Sequence, residues 1–344
     1  MGETHHKQSI MVATVSALRL RRTVSVGTHI VIAAVALQPH LAAAQSYPSK
    51  PIRVIIAVPA GGAPDLVTRM IAPGMSNLLG QQLVIDNRGG AGGLIGAELA
   101  AKAQPDGYTL FVSNPGPLVI LPHLQRQAAY DAFRDFAPIG LISLGHSLLV
   151  TPPSRPYKTV GELITYARAQ PGKLDYASAG NGSVIHLAME LFKSMAGVNI
   201  THVPYKGSPQ GLTDVLGGHV ALTFSTIPPV LQHIKLERLR LLGIASAKRS
   251  PQLPNVPTIC EAGVPGYEIS TWVGLLAPAK TPTQIIARLN EAMVKVVRMP
   301  ESKTQFESQG ADPVGGSAKE FAALMRSESA KYSRAVKVSG LKAD

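Results

Sequence analysis

The chain has 344 residues, 33 Lys and Arg against 21 Asp and Glu for a formal net charge of +12, and one cysteine, Cys260. A lone cysteine excludes an intrachain disulfide and a cysteine metal cluster. The cations are scattered, with no dense basic run and no interleaved aromatics, which excludes nucleic acid as the partner class and leaves a mild field favouring anionic solutes.

The first 44 residues read as an address. Lys7, Arg19, Arg21 and Arg22 precede an apolar run from Ile30 to Leu37, and Ala42, Ala43 and Ala44 follow it. That is the order of a secretory signal peptide, of Sec type rather than twin-arginine type. The run is too short to span a bilayer, so export without an anchor is expected, and a single cysteine fits a bacterial periplasm. Removing this segment takes away four Lys/Arg and Glu3, leaving 29 against 20, so the mature chain keeps a charge of +9. That chain is long enough for two domains with cores of their own.

From Ile52 to Val58 the sequence is apolar and β-branched. It ends in Pro59, Ala60, Gly61, Gly62 and Ala63, with a helix opening at Pro64 and Asp65. Such a run predicts a strand buried on both faces, hence a parallel sheet. Proline suits a first helical turn, where its missing N–H has no partner to lose. Glycines beside a helix N-terminus suit a small anion, and equally an ordinary turn. Leu83 to Asp86 is a second strand, followed by a glycine-rich loop (Asn87 to Gly93) and a helix from Leu94 to Ala103. Tyr108 to Ser113 is a third strand, ending in Asn114-Pro115-Gly116. Strands alternating with helices indicate βαβ units, whose loops at the carboxyl edge bind ligands.

Ala137 to Ser143 and Ser147 to Thr151 read as two further strands, the second leading into another domain through Pro152-Pro153. Thr159 and Glu162 form a capping-box pattern that starts a helix. Leu174 to Ser178 then repeats the opening chemistry: a strand, the loop Ala179-Gly180-Asn181-Gly182-Ser183, and a helix through His186 to Met195. His202 to Tyr205, Val220 to Phe224 and Leu239 to Ser246 are strands, with a helix from Ser208 to Leu216. Val273 to Ala277 returns the chain to the first domain. Thr283 to Arg298 is amphipathic, and Ser317 with Glu320 caps a last helix.

Gly90, Gly92 and Gly96 resemble a dinucleotide fingerprint only loosely, and no acid stands at the end of the next strand, so no cofactor is expected. Gly145-His146-Ser147 lacks the glycine that a nucleophile elbow needs. Without H-E-x-x-H, a P-loop or paired carboxylates, neither a metal nor catalysis is expected. His186 is either a ligand contact or a helix-start side chain bonded to its own loop. Asp65 is either a first-turn acid favoured by the helix dipole or a partner for a ligand ammonium. Trp272 and Tyr205 either line a cleft or fill a core.

Several ordered motifs carry a resemblance. Tyr47 to Ile52, Pro59-Ala60-Gly61-Gly62 with Asp65, Asn87-Arg88 with Gly90 to Gly93, Pro105 to Tyr108, Tyr176 to Gly182, His202 to Gly207 and Ala262 to Tyr267 are similar to the Bug/TctC family. These are extracytoplasmic solute receptors of tripartite tricarboxylate transporters. The resemblance spans Tyr47 to Asp344. It implies an α/β periplasmic-binding-protein fold, type II-like, with two α/β lobes around a ligand cleft: residues 45–148 with 272–344, and residues 149–271. It further implies a carboxylate held by backbone N–H groups, hydroxyls and waters without a salt bridge. Carried over, Ala60, Gly61, Gly62, Ala63, Asp65 and Asn114 contribute from the first lobe, and Ala179, Asn181, Ser183, His186, Tyr205 and Thr226 from the second. The expected partners are a small carboxylate and transporter subunits in the membrane, the receptor itself being monomeric. The alternatives are a receptor for a membrane signalling partner and a secreted enzyme. Three departures bear on ligand identity: Val58 where the family has Phe, Pro64 where it has a hydroxyl residue, and Ser225-Thr226 where it has an Asp-Asn-like pair.

Overall fold

The computed structural model describes residues 47–124, 129–250, 252–308 and 311–341. The export signal expected over residues 1–44 lies outside them. β1 (Ile52–Ile56) runs parallel between β2 (Leu83–Asn87) and β3 (Thr109–Ser113). Ile52, Val54, Ile55 and Ile56 are fully buried, as a strand covered on both faces requires. The connections are α1 (Ala63–Leu79) and α2 (Leu94–Ala101), and after β3 the chain passes through the short α3 (Leu121–Leu124).

β4 (Phe136–Thr151) unites what the sequence reads as two strands. Gly145 and His146 stay extended because they pair with Thr271 and Ser270 of β9 (Ser270–Pro278). Up to His146 the strand pairs with β9; from Ser147 it pairs with β7 (Leu222–Thr226) and β8 (Arg240–Ile244). β4 is therefore the seam of the molecule. On its far side β5 (Asp175–Ser178) lies parallel between β6 (Thr201–Pro204) and β7. The strand order is β2-β1-β3-β9-β4-β7-β5-β6, with β8 and the two-residue β10 (Asp312–Pro313) also on β4. The two outer groups are parallel, as predicted, and the middle is antiparallel.

Around this second group stand α4 (Val160–Ala169), α5 (Val184–Ala196), α6 (Ser208–Leu216) and α7 (Ile227–Lys235). Thr159 caps α4 by accepting the Glu162 N–H at 3.2 Å. α7 is not foreseen by the sequence reading, which places no helix between the strands at Val220 to Phe224 and Leu239 to Ser246. Pro228 and Pro229 occupy its first turn, which needs no intrahelical donor. β7 sits two residues later than predicted, so that Ser225 and Thr226 belong to the strand end.

The chain closes with α8 (Thr283–Val297), α9 (Pro300–Ser308) and α10 (Ala318–Ser339). α8 buries Leu289, Met293, Val296 and Val297, the face its periodicity predicts. Ser317 and Glu320 form the full capping box of α10. Phe321 of α10 meets Trp272 edge to face at 5.3 Å between ring centres and lies over Gly274, whose missing side chain makes the room. A methyl group at Gly274 would overlap that ring. Gly274→Ala is therefore expected to lower stability by about 1–3 kcal/mol through overpacking, read as a lower melting temperature. An unchanged melting temperature would contradict this packing.

Candidate functional site

Beside the seam lies a cavity of about 80 Å³. Its polar wall is made of hydroxyls and one amide: Ser143 and Ser147 from β4, Ser225 and Thr226 from β7, Thr271 from β9, together with Ser183, Ser208 and Asn114. Its apolar wall includes Val58, Val67, Leu144, Ile185, Trp272 and the pair Pro228-Pro229. Among the described residues, no Asp, Glu, Lys, Arg or His side chain lines it. Burial of that many hydroxyls requires hydrogen-bond partners, from the protein or from a guest.

The start of α5 is the clearest donor at this cavity. Ser183 is its N-cap, accepting the His186 N–H at 3.3 Å, while the Ser183 N–H itself donates to the Gly180 carbonyl at 3.1 Å. The N–H groups of Val184 and Ile185, the first two helical residues, have no acceptor among the described residues. They lie at the cavity wall, at the positive end of the helix dipole. That is a hydrogen-bonding position for an anion.

The opening loop behaves differently. The Gly61 N–H donates to Asp65 Oδ2 at 2.9 Å, and the Gly62 N–H donates to the Pro59 carbonyl at 3.2 Å. Asp65 also accepts from Arg69 at 2.9 Å and from the Asn87 amide at 3.0 Å. Burial pushes this carboxyl up, but the bonds from Arg69, Gly61 and Asn87 outweigh it and hold the group below its ordinary value. Asp65 thus faces its own loop, and the two glycine N–H groups are engaged within that loop.

Of the residues expected at a ligand, five line the cavity: Ala63, Asn114, Ala179, Ser183 and Thr226. Asn114 is turned back, its Oδ1 accepting the Gly116 N–H at 3.0 Å. Ala60, Gly61, Gly62, Asp65, Asn181, His186 and Tyr205 stand around it without forming its wall. His186 accepts the Gly182 N–H on Nδ1 at 3.2 Å and stacks on His202 at 4.0 Å between ring centres, the loop-bonded arrangement. Tyr205 donates to Asp214 at 2.5 Å; burial first, and that bond next, push its hydroxyl up to about 12. Trp272 does both things left open for it, being almost fully buried and part of the wall. Sequence reasoning missed Ser143 and Ser147 as wall residues, because only the pairing of β4 with β7 and β9 brings them there.

The loops on either side of the cavity touch. A side chain at Gly92 would overlap the Asn181 carbonyl, and one at Gly207 would come within 2.6 Å of Cδ of Pro59. The backbone at Gly92 meets the Asn181 backbone, and the backbone at Gly207 packs on the Pro59 ring, because both positions are glycine.

With that geometry in view, the comparisons with known proteins are specific. The family model described as tripartite tricarboxylate transporter family receptor matches residues 67–341. Protein BugT of Bordetella pertussis is 35% identical over 300 residues, spanning 87% of this chain and 92% of its own. A solved structure from R. palustris with adipate superposes with a TM-score of 0.84 at 37% identity, covering 87% of this chain and 100% of that one. MatC from Rhodopseudomonas palustris with bound malate gives 0.81 at 31% identity, over 84% of this chain and 100% of its own. The chain belongs to the tripartite tricarboxylate transporter family of receptors.

Proposed function

We propose that this protein is a periplasmic receptor that closes two lobes on a small carboxylate and delivers it, without turnover, to the membrane subunits of a tripartite tricarboxylate-type transporter. The observation that carries the reading is the uncharged cavity with the Val184 and Ile185 N–H groups at its wall. The adipate and malate held by two relatives support the ligand class. The lobes are residues 45–148 with 272–344, and residues 149–271. The change of partners along β4 at His146 and Ser147 supports a hinge there, with β9 as its neighbour. The contacts of Gly92 with Asn181 and of Pro59 with Gly207 support a closed arrangement in which donors from both sides engage one guest.

The test is a thermal-shift screen against mono-, di- and tricarboxylates, amino acids and aromatic acids, on protein unfolded and refolded to strip any carried ligand. A true ligand at about a hundred times its Kd adds roughly 2.7 kcal/mol of stability and raises the melting temperature. The single tryptophan lies in the cavity wall, so the same ligand should shift its fluorescence. Silence from the whole panel in both readouts would refute the carboxylate reading.

A further inference from the structure

The four helix starts around the cavity are unequal, and their inequality bears on how many charges the ligand carries. Every α-helix begins with four N–H groups that lack an intrahelical partner. At α7 these belong to Thr226, Ile227, Pro228 and Pro229, and the two prolines have no N–H to offer. At α6 Pro209 removes another. At α1 Pro64 removes one, the Gly62 N–H is taken by the Pro59 carbonyl, and the first turn already carries the Asp65 carboxylate. Only α5 starts with neither proline nor acid, and only it leaves two adjacent N–H groups, those of Val184 and Ile185, at the wall.

A second feature independently points to a guest. The hydroxyls of Ser143 and Ser147 line the cavity, their residues are 2% and 4% exposed, and neither side chain hydrogen-bonds within the described residues. Such groups suit a neutral polar substituent of a ligand. Apart from the other hydroxyls and the Asn114 amide, the wall is apolar, with Trp272, Val58, Val67, Leu144 and the proline pair. A second carboxylate opposite α5 would lose its hydration against hydroxyls and hydrocarbon, with no cation among the described lining residues and a helix end that keeps only the Thr226 and Ile227 N–H groups of its first four.

Resting on the receptor reading above, we propose that the ligand carries a single carboxylate, seated on the start of α5, with an uncharged and largely apolar body, and that Pro228 and Pro229 disfavour a second carboxylate. The matched probes are hexanoate against adipate, and benzoate against benzene-1,4-dicarboxylate, titrated into the refolded protein by calorimetry and tryptophan fluorescence.

The monoacid of at least one pair is expected to bind roughly tenfold tighter or better, the worth of one charge-assisted hydrogen bond withheld from the second carboxylate. Pro229→Ala restores one N–H at α7 and should narrow that gap several-fold by improving the diacid. Val184→Pro deletes one donor at α5, at a position where proline is tolerated and where Ser183, at φ −68° and ψ 159°, already has the conformation that precedes proline. It should weaken the monoacid by about tenfold, with the melting temperature of the free protein as the control for folding. Diacids binding as tightly as their monoacids, or better, would overturn the inference and leave the receptor reading standing. A ratio unmoved by Pro229→Ala would overturn the part assigned to the prolines. Failure of every carboxylate in the wider panel would overturn both readings together.

Discussion

Gly207→Ala is expected to weaken ligand binding by between about fivefold and a hundredfold, with little change in the melting temperature of the free protein. Gly207 has φ 172°, an extended conformation that alanine adopts without strain. Its added methyl group would strike only the Pro59 ring, on the opposite side of the cavity. The penalty of such overpacking is about 1–3 kcal/mol. In a receptor that binds its ligand closed, that penalty falls on the closed form alone and appears in full as lost affinity, tenfold for each 1.4 kcal/mol. Calorimetric titration with the ligand found in the screen measures it. An affinity equal to wild type would show that the bound state does not need Pro59 against Gly207.

Asp65→Ala is expected to cost about 3 kcal/mol of stability by removing the acceptor shared by Gly61, Asn87 and Arg69. Arg69 is half exposed, so its own charge returns to water at little cost. The loss falls on the half-buried Gly61 N–H and Asn87 amide left behind, and with them on the loop that carries Pro59. The pH dependence follows from the direction of the shift. The folded-state pKa lies below its ordinary value of 3.8, so the stabilisation is present above that value and is lost as the pH falls through the folded one. Wild-type stability should therefore fall more steeply than that of Asp65→Asn below about pH 4. Parallel acid limbs in the two denaturation series would contradict the role given to this carboxylate. Affinity should fall as well, since Asp65 positions the loop without lining the cavity.

Apart from α7 and the continuity of β4, the sequence by itself determined most of the alternating strands and helices, because these rest on local causes. Ile52 to Ile56 cannot be hydrated as a helix face, and Thr159, Ser183 and Ser317 each cap the turn that immediately follows them. It also determined that the loop from Ala179 to Ser183 runs into a helix N-terminus, and that no nucleophile elbow forms at Ser147. Its motifs were sufficient to name the family.

The tertiary structure alone decided which N–H groups remain available. Gly61 and Gly62 read like donors to a ligand, yet Asp65 and the Pro59 carbonyl take them. The stretch from Val184 to Ile185 has no glycine to draw the eye and keeps its N–H groups at the wall. It also decided that β4 is one strand: Gly145 and His146 have no strand propensity of note, and what holds them extended is Thr271 and Ser270, more than a hundred residues away. The same pairings bring Ser143, Ser147 and Trp272 to one cavity. Strand propensity and capping act over a few residues and can be read from the chain in order. Pairing register and the competition for each N–H depend on distant partners, and these meet only in the folded molecule.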